Sequence, residues 1–290
     1  MKIYNINDKI KSKKDGIIIL GYFDAFHLGH KKIVNELIRI SNERDKNNFV
    51  LTYKNLPMKR GGKMLLSLDN RIKLIKQSGV ENIILVDFDK NFNNITSEDF
   101  LSLIKNNFSI TEFIIGDGFH FGKNRAGGEE TLIKNNIKYD KIEPLFIEGK
   151  KVSSSLVKEA ILNGNMKQAK ELIGRNFSLE GIVQKGKQRG RKLGFPTMNI
   201  NNYDIIYPRD GVYITETFVY RDKKVYCSMT FVSKEIIESY LFGYEKFSYN
   251  FKIKVDFLDK IRDNIIFDDL NNLKEKLKED FNFTKSYFNV

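Results

Sequence analysis

The sequence predicts two domains of different classes: an α/β domain built on a parallel sheet, and after it a small antiparallel β-barrel that ends in a helix. The chain has 290 residues, a length typical of about two domains. Strand-like apolar runs alternate with segments of helical period in the first half, whereas strand-like segments follow one another from Phe177 to Phe257. Because this pattern changes near Gly174, we expect the domains to span residues 1–174 and 175–290.

The elements of the first half alternate in type. The predicted strands are Gly16–Gly21, Asn48–Tyr53, Glu81–Phe88, Glu112–Gly116 and Ile142–Ile147. The predicted helices are Lys31–Asp45, Leu68–Ser78, Ser97–Asn107, Glu129–Lys134, Ser153–Gly164 and Met166–Ile173. Strands joined by helices pair in parallel, and such sheets bind ligands at the carboxyl ends of their strands, where the strand order switches.

Short strands separated by turn residues make up the second half. The predicted strands are Ser178–Gln184, Gly211–Tyr220, Lys224–Phe231, Glu238–Phe242 and Ser248–Phe257. Their number and spacing favour a small antiparallel barrel. Leu270–Phe281 has apolar residues at helical spacing, which predicts a terminal helix that packs against the barrel.

Composition narrows the class of protein. Hydrophobic residues make up 41% of the chain, enough to build folded cores. A single cysteine, Cys227, excludes an internal disulfide and a zinc cluster of the CxxC type. The apolar run Ile17–Leu20 is too short for a signal peptide or a membrane span, so we expect a cytoplasmic protein without a membrane partner.

The net charge of +12 allows two interpretations. A basic protein could bind nucleic acid, or its lysines could be spread over solvated surfaces. The basic residues form no long block and are interleaved with Asp and Glu, which favours the second interpretation. We therefore expect small-molecule substrates rather than nucleic acid as the main ligand, and no pattern indicates an oligomeric state.

The segment Gly21-Tyr22-Phe23-Asp24-Ala25-Phe26-His27-Leu28-Gly29-His30 joins the first predicted strand to the first predicted helix. Helix N-termini attract phosphates, and Gly29 lets the backbone approach them closely. Two imidazoles can donate hydrogen bonds to oxygens that gain charge as a phosphate bond breaks. The segment therefore predicts a nucleoside triphosphate site, against the alternative of a histidine-capped turn that binds nothing.

Two later segments extend this prediction. Gly116–Gly128 is a glycine-rich loop with aromatic and basic residues, suited to stacking on a ring and contacting phosphate, although such loops are often only turns. Lys151–Lys158 places a run of serines at a helix start between lysines. Those hydroxyls could hold a triphosphate, or they could form an ordinary N-cap.

The stretch Gly181–Ile200 carries the strongest signal in the second half. Glycines and basic residues between Lys185 and Gly194 make a cationic loop suited to phosphates. Thr197 and Asn199 follow Pro196 and place a hydroxyl and an amide oxygen on one face of an extended segment. Oxygen ligands of this kind suit Mg²⁺ bound to ATP, and the alternative is a basic surface hairpin.

The first three segments, in this order, resemble the adenylyltransferase module of bacterial bifunctional riboflavin kinase/FAD synthetases. That module is a Rossmann-like HxGH nucleotidyltransferase, so the resemblance implies an FMN adenylyltransferase domain over residues 1–174. It implies catalytic roles for His27 and His30 at the ATP phosphates. It also implies ATP contacts from Gly21, Phe23, Asp24, Gly29, Gly116, Phe119, Arg125, Ser154, Ser155 and Lys158.

The second half resembles the riboflavin kinase of the same family, which implies a kinase domain over residues 175–290. The resemblance implies that Glu238 is the catalytic base, although Glu235 lies nearby, and that Thr197 and Asn199 bind Mg²⁺. It implies nucleotide or flavin contacts from Gly186, Lys187, Gly190, Lys192, Gly194, Pro196 and Arg262.

The chain departs from the family pattern at three places. Gly118 stands where the family has an acid or amide, Lys158 stands where it has arginine, and the segment Cys227–Phe231 is shorter than its counterpart. Lysine keeps a positive charge but loses the planar fork of arginine.

The resemblance implies an enzyme that uses ATP to phosphorylate riboflavin to FMN and then to adenylylate FMN to FAD, with Mg²⁺ at both steps. Two alternatives stay open at this stage. One is a riboflavin kinase whose transferase domain is weakened, and the other is a regulator that binds flavin or RNA without catalysis.

Overall fold

The computed structural model describes residues 1–10, 12–55, 63–186, 190, 193–201, 204–233, 236–246 and 248–290. The chain divides into two compact units, Met1–Ser154 and Ser155–Val290. Within the described ranges, the structure contains no helix long and apolar enough to cross a membrane. The domain boundary that we expect from the sequence, between residues 174 and 175, stays a prediction.

The first unit is an α/β structure. Its strands are β1 (Lys2–Asn5), β2 (Gly16–Leu20), β3 (Asn47–Tyr53), β4 (Asn82–Val86), β5 (Ile110–Gly116), β6 (Lys138–Ile142), β7 (Phe146–Ile147) and β8 (Lys150–Lys151). Its helices are α1 (Leu28–Glu43), α2 (Leu68–Gln77), α3 (Lys90–Asn93), α4 (Ser97–Phe108) and α5 (Glu129–Lys134). The first six strands pair in parallel in the order β1-β4-β3-β2-β5-β6, as the alternation predicts.

This parallel sheet has a hydrophobic core on each face. Ile18 of β2 faces the side where α4 contributes Phe100 and Ile104. Its neighbour Ile19 belongs to the other core, with Val34 of α1. Successive side chains of a strand point to opposite faces, so a strand covered on both sides must be apolar throughout. That requirement explains the continuous run GIIIL of β2.

The sheet also fixes where a ligand can bind. β2 lies between β3 and β5, and the chain builds one half of the sheet before it returns to add β5 on the other side of β2. The strand order therefore switches between β2 and β5, and the crevice at their carboxyl ends is the expected ligand site of such a sheet. The segment Gly21–His27 and the loop after Gly116 both begin at that edge.

Two edge elements differ from the prediction. The predicted fifth strand Ile142–Ile147 is wrong: the strand is β6, Lys138–Ile142, and the short hairpin β7–β8 follows it. The strand β1 was not predicted at all. Each of these strands pairs with a single neighbour and is partly exposed, so neither carries the apolar run by which buried strands are recognised.

The second unit opens with the helices α6 (Ser154–Leu162), which starts at the last residue of the first unit, and α7 (Met166–Ile173). Its strands are β9 (Phe177–Ile182), β10 (Met198–Ile200), β11 (Gly211–Val219), β12 (Lys224–Ser233), β13 (Ile236–Leu241) and β14 (Lys252–Arg262), and the terminal helix is α8 (Leu270–Phe288). These strands form an antiparallel sheet in the order β10-β13-β12-β11-β14-β9. A bridge between Gln184 and Asn199 brings the chain after β9 against β10, so the sheet curls towards the predicted barrel.

The buried face of this sheet contains a chain of hydroxyl groups. Thr215, Thr217, Ser228, Thr230 and Ser239 are all fully buried, and we call them the hydroxyl ladder. The Oγ1 atom of Thr215 lies 2.8 Å from Ser228 Oγ and 2.7 Å from Thr230 Oγ1. Ser239 Oγ lies 2.8 Å from Thr230 Oγ1, so the ladder joins β11, β12 and β13. A hydroxyl can both donate and accept, so these contacts keep the polar atoms satisfied in an otherwise apolar core.

Candidate active sites

The segment Gly21–His30 leaves β2 and enters α1, as the sequence predicts. His27 is the N-cap of α1, and its Nδ1 accepts a hydrogen bond from the backbone N–H of His30 at 3.2 Å. Because Nδ1 accepts, the neutral imidazole of His27 carries its proton on Nε2, where it can donate. The rings of His27 and His30 stack with their centroids 3.6 Å apart. The pair therefore sits at the N-terminus of a helix, a position that favours anions.

Gly29 is needed for this arrangement. A Cβ at position 29 would lie 3.1 Å from Nδ1 and 3.1 Å from Cε1 of His27. Few side-chain carbons are found so close to another group, so any larger residue would push the imidazole away. The absence of a side chain at Gly29 therefore lets the His27 imidazole keep its place beside the start of α1.

The loop before His27 is held in an unusual backbone conformation. Phe23, Ala25 and Phe26 all have positive φ angles, 50°, 67° and 43°. Each such non-glycine residue costs on the order of 1–3 kcal/mol and persists only where the surroundings impose it. The side chains of Phe23 and Phe26 are buried in the core beside α1, which supplies part of that constraint.

A cavity of about 780 Å³ opens beside this loop, and all the residues that line it belong to the first unit. That volume is within the range of small-molecule sites. Most of the predicted ATP contacts line it: Gly21, Phe23, His27, Gly29, His30, Gly116, Phe119, Arg125 and Ser154. The structure thus brings the three predicted segments to one place.

Direct contacts join the segments around this cavity. The Oγ of Ser154 donates a hydrogen bond to the backbone carbonyl of Asp24 at 2.9 Å. Lys151 forms an ion pair with Asp117, and both line the cavity. Gly118 has a φ of +75°, and a Cβ there would meet nothing within 4 Å. The position at which the family carries an acid or amide is therefore open space at the cavity wall.

Three residues that are predicted to contact ATP are not among those that line the cavity: Asp24, Ser155 and Lys158. Asp24 turns its carboxylate to backbone N–H groups, accepting from Leu65 at 2.9 Å and Leu66 at 3.1 Å. Burial raises the pKa of Asp24, and those hydrogen bonds oppose the rise. Ser155 and Lys158 lie on α6 within the second unit, and their contact with ATP stays a prediction from the resemblance.

In the second unit, the predicted metal ligands and the predicted base lie together. Asn199 of β10 pairs directly with Glu238 of β13 in the antiparallel register. Directly opposed residues on antiparallel strands point to the same face of the sheet. The Oγ1 of Thr197 donates to a carboxylate oxygen of Glu238 at 3.5 Å. The hydroxyl of Thr197, just before β10, thus forms one cluster with the Asn199 amide of β10 and the Glu238 carboxylate of β13.

The glycines of the cationic loop lie against this cluster. A Cβ at Gly186 would lie 2.5 Å from Nδ2 and 2.7 Å from Oδ1 of Asn199. A Cβ at Gly190 would lie 2.3 Å from the carbonyl oxygen of Phe195, next to Pro196. Gly194 has a φ of +87°, which favours glycine. Lys187 and Lys192, as well as the alternative base Glu235, fall outside the described residues.

Arg262 is engaged by an acidic residue of the terminal helix. Its Nε and Nη2 donate to the carboxylate of Asp280, the shortest contact being 2.6 Å. Both side chains are largely buried, with 15% and 3% of their surface exposed. The guanidinium therefore fastens α8 to β14, and its predicted contact with a ligand stays a prediction.

An aromatic cluster, formed by Phe195, Tyr240, Phe242 and Phe281, flanks the cluster around Glu238. Tyr240 lies two residues after Glu238 on the same face of β13 and packs edge-on against Phe195 and Phe281. Phe281 comes from α8 and Phe242 from the end of β13. A flat aromatic ligand that entered here would have a carboxylate at one end and ring edges along its side.

The donor set in the second unit fits Mg²⁺. Among the residues that the structure describes, no group of three or more His, Cys, Asp or Glu side chains is placed to hold a metal by itself. Thr197, Asn199 and Glu238 instead offer one hydroxyl, one amide and one carboxylate oxygen. Mg²⁺ prefers a few such oxygens together with substrate phosphates and water.

No known motif in the sequence singles out Arg71 or the hydroxyl ladder. Arg71 is fully buried, which is rare for arginine, and it lies on a helix whose pattern is otherwise ordinary. The threonines and serines of the ladder alternate along β11 and β12 as solvent-facing residues of a strand would. The alternation of hydroxyl residues, Thr215 with Thr217 and Ser228 with Thr230, was the pattern from which the ladder could have been predicted.

Comparisons with known proteins match a different family model to each half of the chain. A family model for FAD synthetase matches residues 9–156, and one for riboflavin kinase matches residues 173–288. A bifunctional riboflavin kinase/FMN adenylyltransferase from Buchnera aphidicola subsp. Schizaphis graminum is 30% identical over 99% of both chains. The Bacillus subtilis protein of that name is 29% identical over 94% of this chain and 92% of its own.

A solved structure shares the whole fold. A crystal structure described as a macrolide-efflux protein from Streptococcus pneumoniae superposes with a TM-score of 0.87, at 26% identity and 98% coverage of both chains. The two family models together cover most of the chain, and the relatives match it from end to end. The chain therefore belongs to the bifunctional riboflavin kinase/FMN adenylyltransferase family, and it is an enzyme that converts riboflavin to FMN and FMN to FAD.

Proposed function

We propose that Glu238 is the catalytic base of the kinase reaction and that His27 and His30 bind the ATP phosphates in the adenylyl transfer. The direct pairing of Asn199 with Glu238 is the observation that carries the first assignment. The stacked histidines at the N-terminus of α1, beside a cavity large enough for a nucleotide, support the second.

In the kinase reaction the ribityl 5′-hydroxyl of riboflavin attacks the γ-phosphate of ATP, and the products are FMN and ADP. Glu238 takes the hydroxyl proton as the oxygen–phosphorus bond forms. Thr197 donates to the same carboxylate and orients it. Gly186 and Gly190 let the backbone of the cationic loop come close to Asn199 and Phe195, where the phosphates would lie.

Mg²⁺ is the metal that we propose for this site. Thr197 and Asn199 would hold it through oxygen atoms, with the remaining positions filled by phosphate and water. The ion supplies positive charge that offsets the charge of the phosphates. We also propose Mg²⁺ for the adenylyl transfer, because both reactions use the same polyphosphate.

The aromatic cluster around Tyr240 is the proposed site of the flavin ring in the kinase. It begins two residues from Glu238 on the same face of the strand, so a ring beside it would place the ribityl chain towards the carboxylate. Tyr240 is only partly buried, and burial raises its pKa, so it stays a neutral phenol.

In the adenylyl transfer the phosphate of FMN attacks the α-phosphate of ATP, and pyrophosphate leaves. His27 and His30 would donate hydrogen bonds to the phosphate oxygens that gain charge as the bond breaks. The first turn of α1 adds backbone N–H groups at the same place. Aromatic side chains that line the cavity, Tyr22, Tyr53, Phe88 and Phe92, would pack against a flavin ring.

We also propose which kinds of molecule the enzyme binds and where in the cell it works. Its partners would be small molecules, without nucleic acid as the main ligand, and it would work in the cytoplasm. The dispersed basic residues support this view, because they form no continuous block for a nucleic-acid backbone. The open position at Gly118 predicts a slower transferase. It therefore bears on the alternative of a riboflavin kinase whose transferase domain is weakened.

A steady-state assay tests this function. The purified protein is supplied with riboflavin, ATP and Mg²⁺ in one reaction, and with FMN, ATP and Mg²⁺ in another. We expect FMN and then FAD in the first reaction, FAD and pyrophosphate in the second, and neither when EDTA removes the metal. FMN without FAD over many turnovers would support the kinase-only alternative, and tight binding of RNA without turnover would support the regulator.

A further inference from the structure

Two charged residues, the fully buried Arg71 and the partly buried Asp24, hold the backbone of the loop Gly21–His27 through hydrogen bonds. Arg71 is fully buried on α2, and Asp24 lies within the loop itself. Neither side chain is among those that line the cavity. Their hydrogen bonds go to the backbone at the edge of the sheet where ATP is proposed to bind.

Arg71 joins the ends of two neighbouring strands. Its Nη1 donates to the carbonyl of Tyr22 at 2.7 Å, and its Nη2 donates to the carbonyl of Tyr53 at 2.5 Å. Tyr22 follows β2 and Tyr53 ends β3, and their rings stack at the cavity wall with centroids 4.5 Å apart. The planar fork of arginine can reach both carbonyls at once, whereas the single ammonium of lysine cannot do so in the same geometry.

Asp24 fastens the loop to the start of the same helix. Its Oδ1 accepts from the N–H groups of Leu65 and Leu66, and from that of Ala25 at 3.2 Å. Ser67, the N-cap of α2, follows directly. The attraction of Arg71 favours the ionised carboxylate and opposes the effect of burial on its pKa. Both residues therefore connect α2 to the loop, Arg71 just before the strained segment and Asp24 within it.

The backbone strain of the loop explains why the hydrogen bonds of Asp24 and Arg71 are needed. Phe23, Ala25 and Phe26 hold positive φ angles on both sides of Asp24. A loop in this state relaxes unless its surroundings hold it, and relaxation would disturb the orientation of the His27 side chain at the N-terminus of α1. We propose that Asp24 and Arg71 are positioning residues of the adenylyl-transfer site: they hold the loop in its strained shape and act on the nucleotide only through it.

This proposal rests on the proposed role of His27 and His30 and changes the expectation for Asp24. A carboxylate that contacted ATP or its metal would depend on its charge. A carboxylate that accepts backbone N–H groups can be replaced by an amide oxygen of the same shape. The substitutions Asp24→Asn and Asp24→Ala therefore separate the two roles, since asparagine keeps the acceptor and loses the charge.

The test measures kcat and KM for FAD formation from FMN and ATP, with riboflavin phosphorylation by the same molecules as the control for folding. We expect Asp24→Asn to lower kcat by less than about fivefold, and Asp24→Ala and Arg71→Lys to lower it about 10- to 100-fold, with the KM for ATP changed much less. The kinase rate should stay at the wild-type level in all three.

Each outcome decides the matter. Loss of FAD formation in Asp24→Asn as deep as in Asp24→Ala would overturn the proposal, because the charge itself would then be required. A wild-type kcat in Arg71→Lys would overturn the role of the fork. If Asp24→Ala does not fold, Asp24→Asn and Arg71→Lys carry the test. Failure of the wild-type chain to make FAD would instead refute the proposed function.

Discussion

Asn199 and Glu238 face each other directly across the strands β10 and β13, with Thr197 donating to the same carboxylate. Residues in this relation share one face of the sheet and have Cβ atoms about 5 Å apart. They are 39 positions apart in the sequence, and the antiparallel register alone brings them together. The proposed site of phosphoryl transfer therefore depends on how well that register is kept.

Substitution Gly186→Ala tests the close packing beside Asn199. The new methyl group would lie within 2.5–2.7 Å of the Asn199 amide, so the amide must move. A displacement of about 1 Å at such a site costs on the order of 100-fold in rate, which we expect for kcat of FMN formation. FAD formation from supplied FMN should be unchanged. Wild-type kinase activity in this variant would show that the position of the Asn199 amide does not matter.

The hydroxyl ladder should contribute to the stability of the second unit. In Thr230→Val the shape is kept, but the hydroxyls of Thr215 and Ser239 lose a buried partner. We expect a loss of about 1–3 kcal/mol in the free energy of unfolding, measured by urea denaturation. Ser102→Ala, at an exposed serine of α4, is the matched control and should change stability little.

A double-mutant cycle sharpens this prediction. Because the penalty comes from unpaired groups, Thr230→Val combined with Ser239→Ala should cost less than the sum of the two single substitutions. Additive losses would indicate that the hydroxyls of β12 and β13 do not depend on each other.

The ion pair between Arg262 and Asp280 should fix the terminal helix. Removal of the carboxylate in Asp280→Ala leaves a largely buried guanidinium unpaired, and we expect a loss of about 3–5 kcal/mol in unfolding free energy. Because Phe281 is adjacent to Asp280 and belongs to the aromatic cluster, the KM for riboflavin should rise in the folded variant. Glu279→Ala removes an exposed ion pair of the same helix and should cost at most about 1 kcal/mol. Equal effects of the two substitutions would contradict this role for Asp280.

The substitution Gly118→Asn should raise kcat/KM for FAD formation. The position is open at the cavity wall and has a φ of +75°, a conformation that asparagine tolerates better than most residues. An amide in Gly118→Asn could form one more hydrogen bond to a bound nucleotide, worth about 1 kcal/mol or about fivefold in kcat/KM for FAD formation. The kinase rate serves as the control, and a loss of FAD formation would show that the space is needed by a substrate.

Prediction from the sequence succeeded where local rules decide the structure. The buried strands β2 to β5 carry continuous apolar runs, and the helices α1, α2 and α4 carry apolar residues at helical period. The edge strands β1 and β6 were not predicted because each has two exposed residues and neither has a strong pattern. The two histidines and the glycine-rich loop could be recognised as a candidate site because a site built on backbone and turns leaves a compact motif.

The remaining parts of the sites depend on long-range contacts. Arg71 meets Tyr22 and Tyr53 from positions 49 and 18 residues away, which no short motif reveals. The carboxylate of Asp24 accepts hydrogen bonds from Leu65 and Leu66, and its predicted contact with ATP stays a prediction, since a motif gives no direction for a side chain. That Glu238 would stand beside Asn199 followed from the resemblance and not from spacing.

Reciprocal variants test the central claim most directly: that two separate sites catalyse the two steps. FMN formation and FAD formation are measured for Glu238→Gln and for His30→Ala, each supplied separately with riboflavin and with FMN. We expect Glu238→Gln to lower FMN formation by about 10²- to 10⁴-fold and to make FAD from FMN at the wild-type rate, and His30→Ala to do the reverse. Full kinase activity in Glu238→Gln, or loss of both activities in either folded variant, would contradict the account.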